Sequence, residues 1–311
     1  MIICAVGVFI DISVITVAPI ALAIGKKSGY HKEALLLAMI GGGKAGNIIS
    51  PNPNTIAVSE AFKVDLTSLM MKNFIPAICA VVVTILLSTM LSKKQGVQVT
   101  ENDLEQKEDK NLPSFIQAVA GPVVVVILLA LRPVASIVID PLIALPVGGV
   151  VCALACGQIK NIREYAEFGL GKVVGVSVLL IGTGTIAGII KASALQYDVV
   201  HILKMANMPA FLLAPIAGIL MAGATASTTA GATIGAQTFA GTLIKSGVSA
   251  LSAGAMVHAG ATVIDSLPHG SFFHATGGAA GLEIKERMKL IPYEMCVGLT
   301  STVVAVMMYV I

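Results

Sequence analysis

The chain has 311 residues, of which 56% are hydrophobic and 12% charged, with a net charge of +3. A soluble domain carries roughly 25% charged residues, so this balance excludes a soluble globular protein and a disordered chain, and it lacks the basic stripe of a nucleic-acid binder. Mean hydropathy is +0.90. Trp is absent and Gly numbers 31. Long apolar runs, in place of polar alternation at every second residue, exclude a β-barrel and point to an all-α polytopic membrane protein with closely packed helices.

Taken in chain order, the stretches long enough to cross a bilayer are 3–24, 73–91, 113–131, 134–156, 172–191, 209–243 (with internal breaks) and 291–311. Two more, 34–58 and 250–281, are apolar but interrupted and read as re-entrant hairpins or broken helices. That makes about nine crossings. Between them, residues 92–113 hold nine of the 37 charged residues, so a solvated linker is expected at 92–112. The segment Glu283 to Lys289 (EIKERMK) reads as a charged cap on the final span, its Lys285, Arg287 and Lys289 marking a cytoplasmic face. Cys4, Cys79, Cys152, Cys156 and Cys296 lie in apolar runs without CxxC or zinc spacing, so neither redox chemistry, nor a metal, nor any cofactor is expected.

The chain repeats itself. AVGVFIDISVITVAPIALAI from Ala5 parallels AGATASTTAGATIGAQTFAG from Ala222, with Gly7 against Gly223 and polar groups four and six residues on. Each is followed by an interrupted segment: Gly7 to Gly46 is 39 residues, Gly223 to Gly260 is 37, and proline-containing breaks follow at Pro53 and Pro268. This pairing is expected of two transporter repeats, of inverted topology, at 1–91 and 113–311. Gly223 lies 110 residues after Pro113, whereas six residues precede Gly7, so the first repeat reads as incomplete by about 100 residues. A non-functional truncated permease, or completion by homo-oligomerisation, follows as an alternative.

Bare backbone at membrane depth survives only inside protein or beside a water-filled cavity. Four breaks are read here: Ser50 to Thr55 (SPNPNT), Gly182 to Thr185 (GTGT), the small-residue stretch 217–242, in which 20 of 26 residues are Ala, Gly, Ser or Thr, and Asp265 to Ser271 (DSLPHGS). Half-helix N-termini with neighbouring hydroxyls and amides form a cradle for a small hydroxycarboxylate. Ser50, Asn52, Asn54, Thr55, Ser227, Thr228, Thr229 and Ser266 are the expected substrate contacts, against close helix packing as the alternative for the 227–229 group. Asp11, Asp265 and His258 are ionisable groups inside apolar runs and are the proton-coupling candidates, with a packing histidine as the alternative for His258. Asp140 reads as an ion pair with Arg132 or a helix cap before Pro141, and Lys44, odd among glycines, either snorkels or meets an anion.

These segments, in this order, resemble the gluconate permease family, the gluconate:proton symporters of the ion-transporter superfamily. GVFIDISVITVAPIALAI is similar to its acidic broken helix, with Asp11 at the acidic position and Pro19 at the proline. GGGKAGNIISPNPNTIA resembles its glycine–proline segment, and VHAGATVIDSLPHGSFF with IKERMKLIPYE resembles its C-terminal motif. Family members are about 100 residues longer at the N-terminus, in line with the repeat arithmetic. The chain departs from the family's Asp-Ser-Gly patterns, reading Asp265-Ser266-Leu267 and Ala192-Ser193-Ala194, which leaves room for a substrate smaller than gluconate. The resemblance implies a multi-pass permease of the cell (inner) membrane, not an enzyme, whose partners are protons, the lipid bilayer and a small organic anion such as gluconate. No nucleic acid is expected. The alternative from another class is a membrane-embedded hydrolase or transferase using His258 and Asp265.

Overall fold

A computed structural model describes residues 1–104, 113–135, 137, 139–205 and 207–311. Among them there are helices and no strands. In chain order they are α1 (Ile2–Ala5), α2 (Ile10–Ser28), α3 (Lys32–Asn47), α4 (Pro53–Phe62), α5 (Leu66–Lys72), α6 (Phe74–Ser92), α7 (Phe115–Ala135), α8 (Pro141–Ala155), α9 (Ile162–Ala192), α10 (Leu195–Met205), α11 (Leu213–Thr225), α12 (Thr228–Lys245), α13 (Ala250–Gly260), α14 (Ser271–Ala279), α15 (Ile284–Met288) and α16 (Ile291–Val310).

Packing divides the chain into two units, Met1–Gln106 with Thr183–Ile311, and Lys107–Gly182. In the smaller, α7 and α8 pair as a hairpin around Val125, Leu129 and Ala144. Asp140 caps α8, its carboxylate accepting from the Leu142 N–H at 2.7 Å. That settles the cap reading; the ion-pair alternative rests on Arg132, whose side chain lies outside the described residues.

The larger unit explains why so many expected spans are not single helices. Gly7, at φ +111°, ends α1, a backbone that a side chain rarely tolerates. Ala226, at φ +46°, ends α11. Residues 48–52 and 261–270 carry no helix. Stretches 3–24, 34–58, 209–243 and 250–281 therefore each become two helices. A 13-residue half such as α11 reaches about 20 Å, short of the roughly 30 Å hydrocarbon core. Among the described residues, two segments are long and apolar enough to cross a bilayer by length and composition: Phe74–Ser92, of mean hydropathy 2.5, and Ile284–Val310, of 1.6. The Gly182–Thr185 stretch is not a break: α9 runs through it. Two glycines cost a helix about 1 kcal/mol each, too little to end one whose other residues favour it.

Two series of elements in this unit follow the same order. Residues 1–92 run α1, break, α2, α3, break, α4, then the short α5 and the long α6. Residues 213–310 run α11, break, α12, α13, break, α14, then the short α15 and the long α16. Their packing is exchanged: α12 lies on α4, α2 lies on α14, and α6 meets α16. Much of the interior is apolar but built from small side chains, which lets helices approach closely. Ala217, Ala232, Ala236 and Ala259 are buried around Phe62, Phe239 and Val257. Conversely, Ile75, Ile78, Val82, Ile85 and Leu86 stand exposed along one side of α6, a face suited to lipid.

The charged segment after α6 is tied down in its described part. Lys32 Nζ meets Asp103 Oδ1 at 2.6 Å, the Val97 N–H donates to Glu33, and Val99 is buried. Residues 105–112 of the expected linker lie outside the described residues.

Candidate functional site at the helix breaks

Each break needs something to terminate the helix before it and start the one after. Pro53 occupies the first turn of α4, where its missing N–H costs nothing, and Asn52 caps that helix. Asn52 Oδ1 accepts from the N–H groups of Asn54 (2.9 Å) and Thr55 (3.0 Å) and from the Thr55 hydroxyl (3.2 Å). Its Nδ2 donates to the backbone and side-chain oxygens of Asn47, and Asn54 Nδ2 reaches the same Asn47 side chain. All four residues, and Ser50, are buried. At this break three polar atoms have no hydrogen-bond partner among the described residues: Asn47 Nδ2, Ser50 Oγ and Asn54 Oδ1. Asn52 and Thr55 are thus occupied in holding the break together, and the groups left over belong to Asn47, Ser50 and Asn54. Asn47 escaped the sequence reading because it lies inside α3, before any proline.

Lys44 sits one helical turn ahead of Asn47 on α3, in a run of glycines packed too tightly to let its side chain escape. A Cβ on Gly43 would lie 2.5 Å from Ile10, and one on Gly46 2.4 Å from the Met1 carbonyl. The ammonium points instead to the break between α13 and α14. It donates to the Thr262 carbonyl at 2.6 Å and to Asp265 Oδ1 at 2.5 Å. Lys44 is 1% and Asp265 0% exposed. Two hydroxyls complete the carboxylate's shell: Thr228, the first residue of α12, donates to Oδ2 at 2.6 Å, and Ser266 donates to Oδ1 at 3.0 Å. The third and fourth breaks and α3 therefore converge on one carboxylate.

The remaining expected residues fall as follows. Ser227 caps α12 by accepting from the Ala230 N–H, and Thr229 is buried in that helix's first turn. Asp11, half-buried in the first turn of α2, accepts from the Ile12 N–H. His258 is fully buried in α13, with neither ring nitrogen hydrogen-bonded among the described residues. Among the described residues no hydrogen bond or ion pair joins Asp11 or His258 to Asp265, and no group of three or more His, Cys, Asp or Glu could hold a metal.

A second buried ion pair lies in the charged run before α16. Arg287 grips Glu294 with both terminal nitrogens, at 2.5 and 3.2 Å, its Nε reaches Thr276 Oγ1 at 3.3 Å, and its guanidinium lies 4.9 Å from the centre of the Phe273 ring. Arg287 is 1% exposed, so it is not one of the surface charges that the sequence suggested.

The site brings a cation, an anion and two hydroxyls together where helices are interrupted, with spare hydrogen-bonding groups one helical turn further along α3. Comparison with known proteins agrees with that character. Residues 1–311 match the GntP family of permeases over their whole length. An uncharacterized transporter of Haemophilus influenzae (strain ATCC 51907 / DSM 11121 / KW20 / Rd) is 52% identical over 309 residues, covering 99% of this chain and 74% of that one.

Proposed function

The chain belongs to the GntP family of permeases, and from that premise we propose that it carries a small hydroxycarboxylate or sugar acid, such as gluconate, across the cell (inner) membrane by proton symport. As a permease it is a membrane transporter and not an enzyme, and the alternative of a membrane hydrolase built on His258 and Asp265 falls with that.

The observation that carries the reading is the buried Lys44–Asp265 pair, joining α3 of one series to the second break of the other. Ionisable groups held at membrane depth mark substrate and proton pathways. The matching order of elements in 1–92 and 213–310, with its exchanged packing, supports two inverted repeats that rock about a site between them. Asn47, Ser50 and Asn54 offer unfilled donors and acceptors for hydroxyls. With Thr228 and Ser266 they make a lining that favours a polyhydroxy acid over an apolar one. Asp265 is the proton-coupling group of this reading; Asp11 and His258 are secondary candidates.

The test is uptake of labelled gluconate, glycerate and lactate into proteoliposomes under an imposed pH gradient. Accumulation of a hydroxy acid that collapses with a protonophore is the expected result. Uptake indifferent to the protonophore removes proton symport, and no uptake of any of the three removes the substrate class.

A further inference from the structure

We propose that Lys44 is the receptor for the substrate's carboxylate, and that Asp265 is an internal competitor which must take up a proton before the substrate can occupy its place. The inference rests on the permease reading above and specifies how its site couples two ions.

The argument is one of charge conservation in a medium that does not tolerate charge. Lys44 and Asp265 are both buried, and together they are neutral. An isolated buried charge is costly, and a pair is tolerated only while matched. A monocarboxylate entering this site would leave it at net −1. If a proton binds Asp265 in the same event, the net charge returns to zero: the substrate carboxylate pairs with the Lys44 ammonium, and Asp265 becomes a neutral acid. Proton and anion then enter together because either alone leaves an unmatched charge. The stoichiometry is one to one, and the cycle moves no net charge.

The surroundings suit both states of Asp265. As an anion it accepts from Lys44, Thr228 and Ser266. As a neutral acid it gives up the ammonium and keeps both hydroxyl neighbours, which can accept as well as donate. Lys44 keeps the Thr262 carbonyl as a fixed second partner, so the ammonium stays placed when its anion changes. The spare groups needed by an incoming ligand lie one helical turn from Lys44, at Asn47, and just beyond it at Ser50 and Asn54.

Lys44 is the one charged side chain within hydrogen-bonding distance of Asp265 among the described residues. Of the other titratable groups on the elements packed about this break, Lys32 of α3 is paired with Asp103, His274 of α14 meets the Pro268 carbonyl, and His269 lies in the break itself without a hydrogen bond to Asp265 among the described residues. Glu294 of α16 is held by Arg287, Glu33 of α3 by His31 and the Val97 N–H, Asp11 of α2 by the Ile12 N–H, and His258 of α13 has no partner. None of them can replace Lys44 as the group that exchanges anions with Asp265.

The experiment has two arms, with gluconate as the probe. In proteoliposomes, gluconate/gluconate counterflow at symmetric pH first establishes transport by the unmodified protein; its absence removes the permease reading for this substrate, and the exchange with it. Given counterflow, net uptake is driven by a pH gradient and is indifferent to a potassium diffusion potential set with valinomycin. Uptake that responds to the potential overturns the exchange while leaving the permease reading intact. In the second arm, gluconate binding to protein in detergent is measured across pH. The dissociation constant of the unmodified protein rises about tenfold per pH unit once Asp265 must be protonated for binding, the slope of one linked proton. Asp265→Asn binds gluconate with no such slope and retains counterflow, and Lys44→Met loses binding at every pH. A slope that survives in Asp265→Asn, or gluconate binding that survives in Lys44→Met, overturns the proposal. Should a variant fail to fold, the potential measurement on the unmodified protein decides.

Discussion

Arg287 and Lys44 are both buried cations held by a carboxylate, yet the two pairs are built differently. Arg287 and Glu294 are seven residues apart, lie in one corner of the fold, and meet fork to fork, with Thr276 and the Phe273 ring filling the remaining sides of the guanidinium. A guanidinium cannot be deprotonated and its planar fork matches a carboxylate twice over, so the pair has one good arrangement. Lys44 and Asp265 are 221 residues apart, meet through a single contact, and share it with a carbonyl and two hydroxyls. An ammonium is a point charge with three rotatable donors. It can exchange one anion for another without rebuilding its site. Burial alone does not separate a lock from a working pair; the number of ways in which each can be satisfied does.

The sharpest way to break this contrast is to remove one partner of the lock. Arg287→Ala or Glu294→Ala leaves a lone buried charge and costs about 3–5 kcal/mol, read as a large fall in thermal stability in detergent. Arg287→Lys recovers little of it, because the second hydrogen bond and the ring contact go with the fork. Next in size is Gly298→Ala on α16. Its methyl would lie 2.4 Å from the Thr262 carbonyl, the group that fixes the Lys44 ammonium. Overpacking against backbone costs about 1–3 kcal/mol, and gluconate affinity falls with stability, whereas a glycine remote from the site would lower stability alone.

The combined change Lys44→Met with Asp265→Asn removes both charges at once. It costs under about 2 kcal/mol, since replacing a whole buried pair is far milder than orphaning one member, yet transport is abolished. Stability loss as great as that of Arg287→Ala would refute the distinction drawn here. Asn52→Ala removes the α4 cap for about 1 kcal/mol and weakens gluconate binding indirectly, by loosening Asn47 and Asn54. The smallest effect belongs to the pair outside the spans, Lys32–Asp103. Burial works against ionisation of Asp103, but the Lys32 ammonium and the Thr100 hydrogen bonds outweigh it and hold the carboxyl below its ordinary value of 3.8. Its contribution is therefore complete above that value and is lost as pH falls through the lowered one. Asp103→Asn costs under about 1 kcal/mol at neutral pH, and its melting temperature converges with that of the parent as the solution is acidified below the carboxylate range.

The breaks were legible in the sequence where a local signal existed. Pro51, Pro53 and Pro268 fall at breaks, although Pro19 and Pro146 are carried inside α2 and α8, and an acidic residue in an apolar run, as at Asp265, announces itself. The expected break at Gly182–Thr185 fails because glycine only weakens a helix. Lys44 stood out by type, but its partner lay 221 residues away, beyond the reach of any local pattern. Arg287 misled for the opposite reason: within EIKERMK it looks like one more solvated charge, and its burial depends on Glu294, Thr276 and Phe273 being folded around it. Asn52 was found as a polar residue at a break, but its part in the structure is to cap α4, which leaves the unfilled hydrogen-bonding capacity with Asn47, Ser50 and Asn54.

The separation of Lys44 from Asp265 also bears on how the protein is made. Synthesis at about 5–20 residues per second puts some ten to forty seconds between the two side chains leaving the ribosome. Throughout that interval Lys44 has no counter-charge, and a lysine at the centre of a newly inserted helix costs about 2.5–3.5 kcal/mol by insertion scales. Leu35, Leu36, Leu37, Met39 and Ile40 of α3 offset part of that cost, but the turn that carries Lys44 is built from glycine and alanine. Pairing with Asp265 can relieve that cost only after α13 and the break that follows have emerged, so the site closes late in synthesis.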